Sequence, residues 1–145
     1  MTVFIFDDGG RSAAGFKGSA GDCVCRAATI ATGKPYAEIY AMIGELSASE
    51  RGRMRRGKKR KSSARTGVFT STIRKLMEAL GSEWHPTMQV GSGCTVHLRA
   101  DELPAGRIIC SLSKHLVAMI DGVIHDTDNP SRGGTRCVYG YWRFP

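Results

Sequence analysis

The spacing of apolar residues divides the chain into a helical first half and a strand-rich second half. Helical spacing covers 24–31, 36–43 and 69–80, and Gly33 and Gly81 supply the left-handed ends of the first and third helices. Extended, apolar segments flank the dipeptide Asp121-Gly122, which is preferred in two-residue hairpin turns. The predicted strands cover 3–6, 94–98, 107–112, 116–120, 123–127 and 136–144, and 84–93 is turn-rich. Helices followed by antiparallel strands predict an α+β fold.

The net charge of the chain is concentrated in one segment. A chain of 145 residues is long enough for one hydrophobic core, so we predict a single domain over 1–145. Its formal charge is +8, and residues 51–65 hold nine basic and no acidic side chains. Because residues 47–65 lack apolar periodicity, we predict a mobile basic loop on an otherwise nearly neutral domain.

The cysteines and the hydropathy indicate the compartment. The five cysteines stand at 23, 25, 94, 110 and 137, an odd number without the paired motifs of a zinc site. We therefore expect reduced thiols, no metal and no organic cofactor. Residues 1–8 lack the basic start of a signal peptide, and no run of about 18 apolar residues occurs. These features predict a cytoplasmic protein with no membrane partner.

Cys23 stands where a thiol becomes reactive. Asp22 is the expected N-cap of the first helix, through side-chain bonds to backbone N–H groups. Cys23 then lies at the positive end of the helix dipole, which lowers a thiol pKa. Cys25 lies about 200° further round the helix, so only one of the two thiols faces the sheet, and we favour Cys23. There are two alternatives. Cys23 is a small buried hydrophobic residue, or Cys23 and Cys25 form a Cys-x-Cys pair that is redox-active or binds a soft metal ion.

The predicted hairpin brings a histidine and an acid together. A two-residue turn at 121–122 makes His115 and Asp126 diagonal neighbours on one face of the sheet. We expect the Cys23 helix to pack against this face, which also carries Val117 and Met119. His125 points to the opposite face.

Other polar residues are weaker candidates for the same site. Asp128 lies opposite His115 in the predicted register and is the alternative acid, and Asn129 is a weaker one. His85 and His97 are expected to be structural or surface groups.

The order of these residues resembles the papain-like cysteine peptidases, most closely the bacteriocin-processing peptidase domains and the NlpC-type amidases. Asp22-Cys23 opens a helix as in those relatives, and the stretch from His115-Leu116-Val117 through Asp121-Gly122 to Asp126 matches their His and Asp strands. The tail over 125–141 is also similar to uncharacterised small phage and prophage proteins. The resemblance implies N-terminal helices packed on a C-terminal antiparallel sheet, and a phage-encoded protein of the host cytoplasm.

The resemblance also implies a thiol hydrolase acting on a peptide, isopeptide, amide or peptidoglycan-like bond. Cys23 is the expected nucleophile, His115 the general base and acid, and Asp126 the group that orients the imidazole. Many papain-like enzymes carry a Gln upstream of the nucleophile as an oxyanion donor, but residues 15–22 contain none. Ser19 and Lys17 are the candidates to join the Cys23 backbone N–H in that task.

A non-catalytic binding protein on the same fold is the alternative, and the missing Gln favours it. Its working surface is the basic loop, whose partner is nucleic acid or an acidic host protein; in the hydrolase, the same loop steers an acidic substrate. Cations without interleaved aromatic residues bind phosphates but do not read bases. The candidate anion-binding residues are Arg51, Arg53, Arg55, Arg56, Lys58, Lys59, Arg60 and Lys61.

Overall fold

The computed structural model describes residues 2–18 and 20–145, and only the backbone of Arg55. The fold is α+β, as predicted, with helices on a six-stranded sheet and a separate two-stranded ribbon. No helix in the described part of the chain is both long and apolar enough to cross a membrane. The helices are α1 (Cys23–Thr32), α2 (Tyr36–Ala48) and α3 (Thr70–Ala79). The strands are β1 (Val3–Phe6), β2 (Arg53–Arg55), β3 (Lys58–Arg60), β4 (Glu83–Pro86), β5 (Arg107–Leu112), β6 (His115–Ile120), β7 (Val123–Asp126) and β8 (Gly140–Phe144).

The main sheet is mixed, and this corrects the predicted C-terminal antiparallel sheet. Its strand order is β1-β7-β6-β5-β8-β4. β1 comes from the N-terminus and pairs in parallel with β7, from Val3 opposite Val123 to Phe6 opposite Asp126. Apolar spacing shows that residues 3–6 are extended but carries no information about their partner. β1 forms its backbone hydrogen bonds with β7, along the edge of the β6–β7 hairpin that β6 does not occupy.

Two hydrophobic clusters cover the two faces of the central strands. On one face, α1 packs over Ile109, Leu116 and Ala118, α2 packs on α1, and α3 packs on α2. On the other face, Val117 and Met119 lie against the cluster that contains Leu98, Leu103 and Val138. Strands buried on both faces are continuously apolar rather than alternating, which explains the composition of β5 and β6.

The Asp121-Gly122 turn is confirmed. Ile120 pairs with Val123, and the turn residues have φ angles of 48° and 80°, the left-handed pair that a type I′ turn requires. Two neighbouring predictions are wrong. Residues 94–98 form only an isolated bridge between His97 and Cys137, and β4 overlaps the start of the segment 84–93, which was expected to be rich in turns.

The basic segment is partly regular, which corrects the prediction of a loop over all of 47–65. α2 extends to Ala48, and β2 and β3 form a hairpin closed by Arg56 and Gly57, with φ angles of 51° and 74°. Residues with long cationic side chains show no apolar alternation, so the usual strand signal is missing here. The two-residue turn with glycine in second place was the available signal.

The thiols are not all reduced, which corrects the expectation of five free cysteines. Cys94 and Cys137 form a disulfide across 43 residues, and Cys23, Cys25 and Cys110 are free. The bond links the segment before β5 to the segment before β8. An irregular, odd set of cysteines does not reveal which pair the fold brings together.

Gly140 provides a test of the packing between β4 and β8. A Cβ there would overlap the indole ring of Trp84 and lie 2.9 Å from the carbonyl oxygen of His85. We expect Gly140→Ala to lower the free energy of unfolding by about 1–3 kcal/mol, because ring and backbone must both shift. The measurement is urea unfolding followed by circular dichroism.

Gly44→Ala is the matched control. Gly44 is exposed on α2, and nothing lies within 4 Å of an added Cβ. Alanine there should raise the free energy of unfolding by about 0.5–1 kcal/mol. Equal effects of the two substitutions would contradict the described packing of Trp84.

Candidate active site

An open cleft lies where the N-terminus of α1 meets one end of the sheet. Cys23 is the first residue of α1, His115 is the first of β6, and Asp126 is the last of β7. The cleft has a volume of about 590 Å³, and both Cys23 and His115 line it. Its other walls come from the segments 20–26, 66–73 and 111–116.

The imidazole and the carboxylate are in direct contact, as the hairpin register predicts. His115 Nε2 lies 2.7 Å from Asp126 Oδ2. The other oxygen, Asp126 Oδ1, accepts from Arg26 Nη2 at 2.9 Å and from the Thr127 backbone N–H at 2.7 Å. With Nε2 engaged, Nδ1 is the ring nitrogen left for the thiol of Cys23.

The environment of Cys23 favours the thiolate. Burial alone would raise the pKa of this thiol, but hydrogen bonds with the His115 imidazole and the Leu116 backbone N–H lower it. The positive charges of His115 and Arg26 act in the same direction, and the net pKa is below the ordinary value. The thiolate fraction of Cys23 near neutral pH is therefore larger than that of an unperturbed cysteine.

His115 is biased towards the imidazolium form. Burial lowers its pKa, but the hydrogen bonds to Asp126 and Cys23 and their negative charges raise it to about 9. The Asp126 carboxyl is affected in the opposite sense: burial raises its pKa, but the His115 hydrogen bond and charge bring it below the usual value. A charged series of thiolate, imidazolium and carboxylate is thus favoured near neutral pH.

The other two free thiols have the opposite character. Cys25 is fully buried in the helix-side core, and burial raises its pKa to about 12. Burial likewise raises the pKa of Cys110 to about 12. Of the two α1 thiols, it is Cys23 that lines the cleft, as its position in the helix predicts.

Arg26 is the site residue that sequence analysis missed. Its guanidinium lies 2.6 Å from Asp22 Oδ1 and 2.9 Å from Asp126 Oδ1, and so joins α1 to β7. Asp22 Oδ2 in turn accepts from the hydroxyl of Tyr36 at 2.7 Å. The spacing of Asp22 and Arg26, four residues apart in the sequence, was a usable signal for this pair.

This network also corrects the expected role of Asp22. The residue stands at the N-cap, but its side chain makes no cap hydrogen bond and is 3% exposed. The first helical bond runs from the Arg26 N–H to the Asp22 carbonyl oxygen. The N–H groups of Cys23, Val24 and Cys25 precede this bond and lie outside the helical ladder, and Cys23 and Val24 line the cleft.

The predicted packing face of α1 is wrong. α1 packs on the face of β6 that carries Leu116 and Ala118, whereas Val117 and Met119 belong to the cluster on the other face. His115 still interacts with Cys23 because it is the first residue of its strand, directly after a turn at Lys114 with a φ of 56°.

The oxyanion candidates and the alternative acids are less well placed. Ser19 lies outside the described residues. Lys17 is exposed, with its carbonyl oxygen accepting from Arg11, and the lysine that lines the cleft is Lys114. Asp128 is exposed and Asn129 Oδ1 accepts from the Ser131 N–H, so Asp126 is the acid on the imidazole.

The fold and site together define a class, an α+β protein with a thiol, an imidazole and a carboxylate in series in an open cleft. No protein-family model, curated protein or solved structure matches the chain. Within the described part of the chain, no group of three or more His, Cys, Asp or Glu residues is placed to hold a metal ion.

Removing the Arg26 charge should break the ion-pair bridge between α1 and β7. We expect Arg26→Met to lower the free energy of unfolding by about 3 kcal/mol, because it leaves two buried carboxylates without their shared cation. Arg107→Met is the matched control, since Arg107 is exposed and meets the Ala31 carbonyl oxygen at 3.4 Å. Its effect should stay within about 0.5 kcal/mol. Equal losses in urea unfolding would show that the bridge does not stabilise the fold.

The protonation of His115 is directly observable. The ring should keep both protons until about pH 9, above the ordinary pKa of 6.5, and ¹⁵N shifts of the ring nitrogens report this. In Cys23→Ser the ring loses the negative charge of the thiolate, which favours the imidazolium, so it should deprotonate at lower pH. A titration unaffected by this substitution would mean that the thiol and imidazole are not coupled.

Proposed function

We propose that this protein is a papain-like cysteine hydrolase that cleaves a peptide, isopeptide or other amide bond. The observation that carries the proposal is the series from the lowered-pKa thiol of Cys23 through His115 to Asp126. Each member stands at the end of its element and two of them line one open cleft, so a substrate carbonyl has access to the sulfur. Nucleophilic catalysis by a thiol requires this arrangement of nucleophile, base and orienting acid.

In the first half of the reaction, the Cys23 thiolate attacks the carbonyl carbon and a tetrahedral intermediate forms. His115, which holds the proton as imidazolium, donates it to the leaving amine nitrogen as the carbon–nitrogen bond breaks. The product of this half is a thioester on Cys23 and a free amine. Asp126 holds the ring through Nε2 throughout, so that Nδ1 stays directed at the reacting atoms.

In the second half, water hydrolyses the thioester. Neutral His115 accepts a proton from the water through Nδ1, and the hydroxide attacks the thioester carbonyl. The Cys23 thiolate leaves, the acid product departs, and the imidazolium and thiolate are restored. The pair therefore begins and ends in the charged state that the surrounding groups favour.

Backbone N–H groups at the start of α1 are the proposed oxyanion donors. The Asp22 side chain points inward to Arg26 and Tyr36 and does not cap them. A helix N-terminus also carries partial positive charge, which stabilises negative charge on the intermediate's oxygen. Lys114, which lines the cleft together with Arg26, is a further cationic side chain nearby.

The test uses p-nitrophenyl acetate, an activated acyl donor that any such thiol can attack. We expect a burst of nitrophenolate, an acetyl group on the peptide that contains Cys23, and continued turnover as water removes it. His115→Ala should lower turnover by about 10²-fold or more, because the general acid and base is lost. Stopped-flow absorbance and peptide mass spectrometry provide the two readouts.

Cys23→Ala and Cys25→Ala form the matched pair of variants. They remove thiols two residues apart on one helix, but of the two it is Cys23 that lines the cleft. Cys23→Ala should abolish turnover, and Cys25→Ala should retain the acetylated Cys23 peptide. Equal turnover in wild type and Cys23→Ala, or no acetyl-Cys23 at all, would overturn the proposal.

A further inference from the structure

The basic ribbon, residues 51–61, is set apart from the cleft and from the main sheet. β2 and β3 pair with each other in a sheet of their own, and the residues of β3 are all exposed. Met54 at its centre is 70% exposed, so the ribbon has no apolar core of its own. It is a two-stranded hairpin that presents its side chains to solvent.

The register of the ribbon places like charges together. Arg53 lies opposite Arg60, and Lys58, two residues before Arg60, shares the same face. Directly opposed like charges destabilise a β-pair, so this arrangement costs stability in the free protein. None of the ion pairs among the described residues includes a residue of the ribbon.

Glu50, the acidic residue that directly precedes the ribbon in the sequence, is hydrogen-bonded to groups outside the ribbon. Glu50 Oε1 accepts from the Ser62 backbone N–H at 2.6 Å, and its other oxygen bonds the Thr72 hydroxyl on α3. The guanidinium of Arg53 lies 4.2 Å from the centre of the Phe69 ring. The base of the ribbon thus contacts α3 and the residue before it, while the cations of β3 are exposed to solvent.

We infer that the basic ribbon binds the phosphate backbone of a nucleic acid, independently of base sequence. Repeated phosphates supply the negative charge that removes the repulsion across the ribbon, and binding releases their counterions. A two-stranded ribbon also has the width of the B-DNA major groove. The phosphates are the same at every base pair, so contacts from these cations to the backbone carry no sequence information.

An acidic protein partner fits the ribbon less well. Protein interfaces depend on aromatic and apolar anchors in the centre of the patch, and Met54 is the exposed large apolar side chain that the ribbon offers. Phosphate contacts need cations alone. The inference concerns a surface outside the cleft and does not depend on the hydrolase chemistry.

The experiment measures fluorescence anisotropy of labelled short DNA duplexes of two unrelated sequences, with labelled polyglutamate as the acidic-peptide probe. The variant Lys58→Gln/Lys59→Gln/Arg60→Gln neutralises three exposed cations of the ribbon. The control Lys34→Gln/Arg74→Gln/Arg143→Gln removes the same charge from exposed positions elsewhere. Ester turnover at Cys23 should be the same in all three proteins.

The wild type should bind both duplexes equally, with log K falling steeply against log salt concentration. Ribbon neutralisation should weaken binding on the order of tenfold or more and reduce the salt slope by about 0.9 for each phosphate that the variant no longer neutralises, unlike the control. Equal weakening by both triple variants, tighter binding of polyglutamate than of DNA, or no DNA binding at low salt would each overturn the inference. Loss of ester turnover alone would count against the hydrolase and leave the ribbon result standing.

Discussion

The site depends on one buried cation, the guanidinium of Arg26. It bridges carboxylates from Asp22, at the start of α1, and Asp126, at the end of β7, 100 residues further along the chain than Arg26. A buried charge is costly unless every group around it is paired, and here Tyr36 and His115 occupy the second oxygen of each acid. Fixing the start of α1 against the end of β7 also fixes Cys23 beside His115. The Arg26 ion pairs therefore help to hold the thiol beside the imidazole.

Two thiols on one helix show how strongly the surroundings decide reactivity. Both Cys23 and Cys25 are removed from water, and this burial on its own would raise the pKa of either thiol. At Cys23 the imidazole, the Leu116 N–H and the charge of Arg26 outweigh it, whereas at Cys25 burial prevails and the pKa reaches about 12. The same helix dipole acts on both residues, so the dipole that motivated the prediction from sequence is not what separates them. The difference comes from which side chain faces the end of the sheet.

The sequence predicted the α+β class, the hairpin at Asp121-Gly122 and the contact of His115 with Asp126, because each follows from local spacing and turn geometry. It failed where the determinant is non-local or charged. The parallel partner of β1, the face of β6 that receives α1 and the Cys94–Cys137 disulfide depend on which segments meet in three dimensions. The basic ribbon was not predicted because it lacks apolar alternation. Arg26 was not predicted because arginine on a helix is usually exposed. Its four-residue spacing from Asp22 was a usable signal for the ion pair.

The rate of iodoacetamide alkylation of Cys23 as a function of pH tests whether Cys23 and His115 form a thiolate–imidazolium pair. Peptide mass spectrometry can follow each free thiol separately between about pH 4 and 9. Ordinary thiols begin to ionise only near the upper end of this range. We expect that Cys23 reacts at a pH below the ordinary thiol range, that Cys25 and Cys110 stay unreactive, and that His115→Ala moves the Cys23 inflection to higher pH. An ordinary thiol profile at Cys23, unchanged in His115→Ala, would contradict the thiolate–imidazolium pair.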